Sequence, residues 1–139
     1  MGRIAAIDFG MKRIGIAISD ETKQIAFPLT TVAGGKKGIQ NVIAALPFQK
    51  KEIELIIIGL PLLLSGKKGD MALIVEKFGA DLEAAIKIPI LFLDERLSSK
   101  HAEKGMRELC LNRRKRTEKL DEISAAFLLQ SYLEKLKLL

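Results

Sequence analysis

Two apolar runs near the N-terminus sit too close together to have a helix between them. Arg3 to Asp8 reads as one strand, and Ile14, Ile16 and Ile18 alternate with Gly15, Ala17 and Ser19 at the period of two that marks another. The linker, Phe9 to Arg13, is short, so the pair is predicted to be a hairpin. Ala26 to Val32 supplies a third strand before Gly34-Gly35 breaks the chain. The pattern then changes. Ile39, Val42, Ile43 and Leu46 fall at helical spacing before Pro47, and Leu55 to Ile58 is a continuous apolar run typical of a strand covered on both faces. A hairpin start followed by helix-strand crossovers implies an α/β fold: a mixed five-stranded sheet with helices on it.

The rest of the chain continues the alternation. Gly59 to Gly69 reads as a loop. Asp70 is a candidate cap for a helix carrying Ile74, Phe78, Leu82 and Ile86. Pro89 to Leu93 reads as another buried strand, stopped by Asp94-Glu95-Arg96. Ser98 or Ser99 caps a helix with Ala102, Met106, Leu109 and Cys110 inward, and Thr117 caps a last helix carrying Leu120, Ile123, Phe127, Leu128 and Leu136. Neither repeats nor linkers interrupt residues 1–139, so a single domain is expected.

Composition narrows the chemistry. Cys110 and His101 are the only residues of their types, so a cysteine-histidine zinc site of four ligands and an intramolecular disulfide are both excluded. A cytoplasmic location is expected, with no membrane partner: the longest apolar stretch, Leu55 to Leu64, is broken by Gly59 and Pro61 and falls far short of the ~20 residues of a membrane span. Lys and Arg number 23 against 17 for Asp and Glu, a net charge of +6, which suggests an anionic partner. With Trp absent and one Tyr, contact with nucleic acid should go to phosphates rather than to stacked bases.

Three acidic positions stand out. Asp8 closes a hydrophobic strand. Asp94 and Glu95 end another, at the place where α/β sheets bind ligands. Asp121 lies in the first turn of the last helix. Each has an ordinary structural reading: a turn cap, a solvated loop pair with Arg96, and a partner for the helix dipole. Together they fit one need. Metal-assisted phosphodiester cleavage requires oxygen ligands from several elements, and carboxylates gathered without a cation repel one another. With no soft-ligand set available, Mg²⁺ or Mn²⁺ is the expected ion. Basic runs occur at Lys12-Arg13, Lys36-Lys37, Lys50-Lys51, Lys67-Lys68 and Arg113-Arg114-Lys115-Arg116. The last is the densest, and it is equally compatible with a phosphate-binding segment and with a solvated loop.

Four blocks of residues resemble the YqgF/RuvX family of pre-16S rRNA nucleases, also described as Holliday junction resolvase-like proteins. They are Ile7-Asp8-Phe9-Gly10 through Ser19-Asp20; Gly59-Leu60-Pro61-Leu62 with Gly66 and Gly69; Asp94-Glu95-Arg96-Leu97-Ser98; and Asp121, Ala125, Ala126, Leu129 and Gln130 with Tyr132-Leu133. The resemblance spans nearly the whole chain. It implies a ribonuclease-H-like fold with helices on both faces of the sheet. It also implies a metal-dependent endonuclease with Asp8, Glu95 and Asp121 as catalytic metal ligands, and Asp94 as the alternative to Glu95. Leu63 and Ser65-Gly66 stand where the family's loop usually carries Asn and Asp-Gly.

The leading expectation is therefore a Mg²⁺- or Mn²⁺-dependent phosphodiester hydrolase trimming the 5′ end of precursor 16S rRNA during ribosome biogenesis. Lys12, Arg13, Arg96, Arg113, Arg114, Lys115 and Arg116 would bind flanking phosphates, and backbone amides around Gly66 to Gly69 would help orient one. Structured RNA, branched DNA and the small ribosomal subunit are the candidate partners. The alternatives are a resolvase acting on four-way DNA and a non-catalytic RNA- or ribosome-binding module. A two-lobed sugar-kinase-like ATPase, whose phosphate loop also begins Asp-x-Gly, would need more chain than this.

Overall fold

The hairpin forms, and it starts a five-stranded sheet. In the computed structural model, which describes residues 2–46, 52–63, 65–94 and 120–138, β1 (Arg3–Asp8) pairs antiparallel with β2 (Arg13–Ser19), and β2 pairs antiparallel with β3 (Ala26–Ala33). A single 3-10 turn, Gly35–Lys37, leads into α1 (Gly38–Ala45). The chain then crosses to β4 (Ile53–Leu60), α2 (Asp70–Ile86), β5 (Ile90–Asp94) and α3 (Leu120–Lys137). β4 runs parallel to β1, and β5 parallel to β4, so the sheet is mixed, in the order β3-β2-β1-β4-β5.

Strand alternation divides the core into two layers. Ala5, Ile7, Ile14, Ile16, Ile56 and Ile58 face α1 and α2, where Val42, Val75, Phe78 and Leu82 cover them. Ile4, Ala6, Ala17 and Ile57 face the other way and are covered by Ala125, Leu128, Leu129 and Leu133 of α3. Ile56, Ile57 and Ile58 are all fully buried, as a central strand with helices on both faces requires. No helix among the described residues is long and apolar enough to cross a membrane.

Four local expectations change. β4 continues to Leu60 and absorbs Gly59, so the loop starts at Pro61. Gly69, not Asp70, occupies the cap position of α2, and Asp70 is its first helical residue, where its charge favours the helix dipole. On α2 the inward stripe is Ala72, Val75, Phe78, Gly79, Leu82 and Ile86, which leaves Ile74 pointing out. β5 is half-exposed rather than buried, because it pairs on one side only and lies at the sheet's edge. The helix expected over Ala102 to Cys110 and the Thr117 cap lie outside the described residues.

Candidate active site

The C-terminal end of β1 carries Asp8, and the ladder sets its surroundings. Asp8 stands directly across from Gly15 of β2. It shares the parity of Ile4 and Ala6, so alternation turns it toward the face covered by α3.

Gly15 lets α3 reach that place. A Cβ built on Gly15 would lie 2.0 Å from the carbonyl oxygen of Asp121 and 2.6 Å from the amide nitrogen of Glu122. No side chain fits there. The first turn of α3 rests on bare β2 backbone, on the residue directly opposite Asp8. Residues facing each other across an antiparallel ladder have Cβ positions ~5 Å apart. Asp8 and Asp121, separated by more than a hundred residues in sequence, therefore both flank Gly15 at one end of the sheet. The sequence contained a signal for this contact: an isolated glycine inside an alternating strand marks a close approach by another backbone.

Arg13 completes the local arrangement. Its Nε lies 3.2 Å from Oδ2 of Asp121. The contact is Coulombic without the alignment of a hydrogen bond, because that buried Oδ2 accepts no hydrogen bond among the described residues. A buried carboxylate oxygen lacking a hydrogen bond is a costly feature in a purely structural site. It is the donor that a hard cation such as Mg²⁺ takes. The residues present fit such an ion in part: among the described residues, no three acidic, histidine or cysteine side chains converge on one point. Asp8 and Asp121 would be two of its ligands, and a third would be needed.

Asp94 is poorly placed to be that third ligand. It follows Leu93, which packs on the α3 layer, and it shares the parity of Ile90 and Phe92, which pack on the α1/α2 layer. Its register partner is Leu60, one step beyond the level of Asp8. Glu95, Arg96 and the run Arg113, Arg114, Lys115 and Arg116 lie outside the described residues. Lys12 and Arg13 are exposed at the same end of the sheet as Asp8. The loop after β4 contributes less than expected. The Gly66 amide donates to the Leu63 carbonyl at 2.8 Å, the Leu63 amide donates to Lys67, and Lys68 pairs with Glu76 at 2.7 Å. These internal bonds already engage part of the backbone expected to hold a phosphate.

Residues 2–135 match the family described as "RuvX: Holliday junction resolvase". The chain belongs to the RuvX family. Similar proteins named "Putative pre-16S rRNA nuclease" include one from Protochlamydia amoebophila, 49% identical over 95% of this chain and 93% of its own length. Another, from Syntrophomonas wolfei, is 41% identical over 95% of this chain and 94% of its own. Among solved structures, the fold is similar to RuvC of T. thermophilus in complex with a Holliday junction substrate. The TM-score is 0.59 at 15% identity, over 97% of this chain and 96% of that one. It is also similar to the fowlpox virus resolvase bound to Holliday junction DNA, with TM-score 0.58 at 17% identity, covering 96% and 98%. This RuvX chain thus has the ribonuclease-H-like fold of the resolvases, with helices on both faces of its mixed sheet.

Proposed function

We propose that this chain is a divalent-metal-dependent endonuclease that trims precursor 16S rRNA at its 5′ end. The observation that carries the reading is the placement of Asp8 and Asp121 flanking Gly15, with Oδ2 of Asp121 buried and accepting no hydrogen bond. Its relatives' names supply the substrate class. Asp8, Asp121 and Glu95 would hold Mg²⁺ or Mn²⁺. Glu95 is preferred to Asp94 because Asp94 shares its parity with the opposite face of the sheet. The bound cation would activate a water and stabilise the leaving 3′ oxygen.

The chain's own residues do the rest. Arg13 neutralises Asp121 and stands where a scissile phosphate would meet the acids. Lys12, Arg96 and the Arg113, Arg114, Lys115 and Arg116 run attract the flanking backbone. The test is cleavage of a precursor rRNA fragment. Asp8→Asn and Asp121→Asn should each lower the rate about 10²–10³-fold, the scale of losing several kcal/mol of charge stabilisation. Cleavage that persists in EDTA, or in both variants, rejects the metal mechanism.

A second reading changes only the substrate. The family description favours four-way DNA. A symmetric junction cut needs two copies of the site. Sedimentation that finds only a monomer on junction DNA would count against it. Tight RNA binding without cleavage in either metal would favour a non-catalytic binding module instead.

A further inference from the structure

The basic pair Lys36-Lys37 is far from Asp8 in sequence, yet the fold carries it to the same end of the sheet. β1 ends at Asp8, β2 begins at Arg13, and Arg13 is paired with Ala33 near the end of β3. The chain leaving β3 is held against the β1–β2 turn: the Gly34 amide donates to the Lys12 carbonyl at 2.9 Å. The contact is close enough to require glycine. A Cβ on Gly34 would lie 2.7 Å from the Met11 carbonyl oxygen and 3.0 Å from that of Gly10. Gly35 then takes φ +82°, and the 3-10 turn Gly35–Lys37 follows at once. Gly38 anchors the far side of the turn, buried over Ile14 and Phe78.

Two turns are thereby packed together, and they present Lys12, Lys36 and Lys37 to solvent beside Arg13. Arg13 alone of the four pairs with an acid among the described residues, and that acid is Asp121. The first turn of α1 contains no acidic residue. The result is a ridge of positive charge at the β2–β3 side of the acid pair, in which Lys12, Lys36 and Lys37 pair with no acid among the described residues. β3 lies two strands from β1, ~10 Å away. That is about three phosphates at ~3.4 Å of axial rise each.

We infer that Lys36 and Lys37, on the turn after β3, bind the phosphodiester backbone a few nucleotides from the cut. This rests on the proposed nuclease function and extends its contact surface along the β2–β3 side of the sheet. Phosphate is the shared chemistry of RNA and DNA, so both probes belong in the test.

The experiment measures equilibrium binding of the full chain to a precursor 16S rRNA stem-loop and to a four-way DNA junction, across salt concentrations, in Ca²⁺ to suppress cutting. Lys36→Ala/Lys37→Ala is compared with Lys77→Ala/Lys137→Ala, which removes the same charge from α2 and the far end of α3. The first double variant should weaken binding several-fold, and should flatten the slope of log K against log salt by about 1–2, while the second leaves the slope unchanged. Loss on one probe only identifies the substrate class served by the ridge. Lys36→Arg/Lys37→Arg should restore binding, which a purely structural role for the turn would not predict. Equal slopes for both double variants overturn this inference alone. Failure of the wild type to bind either probe overturns it together with the nuclease reading.

Discussion

Asp20 shows how much one side chain can organise. It follows β2 and accepts hydrogen bonds from the Thr22 hydroxyl and from the amides of Gln24 and Ile25, at 2.8 and 3.0 Å for the two amides. The Thr22 bond first, and then the amides, hold its carboxyl at about 2, below the ordinary 3.8. The folded state therefore favours the ionised form. The stabilisation is complete above 3.8 and is lost as pH falls through about 2. A carboxyl-carbon NMR titration should place the Asp20 midpoint near 2, and Asp20→Asn should remove this part of the acid dependence. Gly15 is the second residue with an outsized role. Gly15→Ala forces a methyl into the backbone of Asp121, so about 1–3 kcal/mol of stability should be lost in urea unfolding. Cleavage should fall further than stability explains, because the helix start that carries Asp121 must move.

At the scale of elements, the docking of α3 decides whether a site exists. Its apolar stripe, Ala125, Leu129 and Leu133, lies on Ala6, Ala17 and Ile57. A polar clip adds direction: Gln130 accepts from the Ala26 amide at 2.9 Å and donates to the Gln24 carbonyl at 3.2 Å, tying α3 to the start of edge strand β3. Gln130→Ala should cost about 1 kcal/mol and speed hydrogen exchange at Ala26, which loses its partner. Leu129→Ala, at a fully buried position, should cost about 2–5 kcal/mol. At the opposite end of the β1–β2 pair, Ser19 is buried, accepting from the Ile4 amide at 2.9 Å and donating to the Asp20 carbonyl at 3.0 Å. These bonds pin the open end of the hairpin, while the turn after β1 joins the strands at the end that carries Asp8.

Across the whole molecule, charge is unevenly shared. The net +6 combines the acidic pair flanking Gly15 with a basic border of Lys12, Arg13, Lys36 and Lys37 at the same end of the sheet. Bringing Asp8 and Asp121 together costs stability unless a cation is near, and Arg13 supplies one charge. Mn²⁺ at a hundred times its dissociation constant should therefore stabilise the wild type by about 2.7 kcal/mol, roughly 10 °C in Tm. Asp121→Asn should lose most of that shift. An equal shift in both proteins would remove Asp121 from the metal site.

The strands, the mixed sheet and the acids at strand ends were legible in the chain because alternation, unbroken apolar runs and glycine breaks are local patterns. The family blocks added the fold and the identity of the candidate ligands. The stripe on α2 was misread at Ile74, since several apolar residues there permit more than one inward face and only the sheet beneath selects one. Glycine at positions 15 and 34 was visible, but its purpose was not. A missing Cβ has meaning only against the backbone that approaches it: Asp121 in one case, the β1–β2 turn in the other. The sequence by itself determined which elements form and which side chains can do chemistry. The tertiary structure decided which of them come together, because the contact of Gly15 with the start of α3, or of Gly34 with the β1–β2 turn, depends on pairing and packing between segments far apart in the chain.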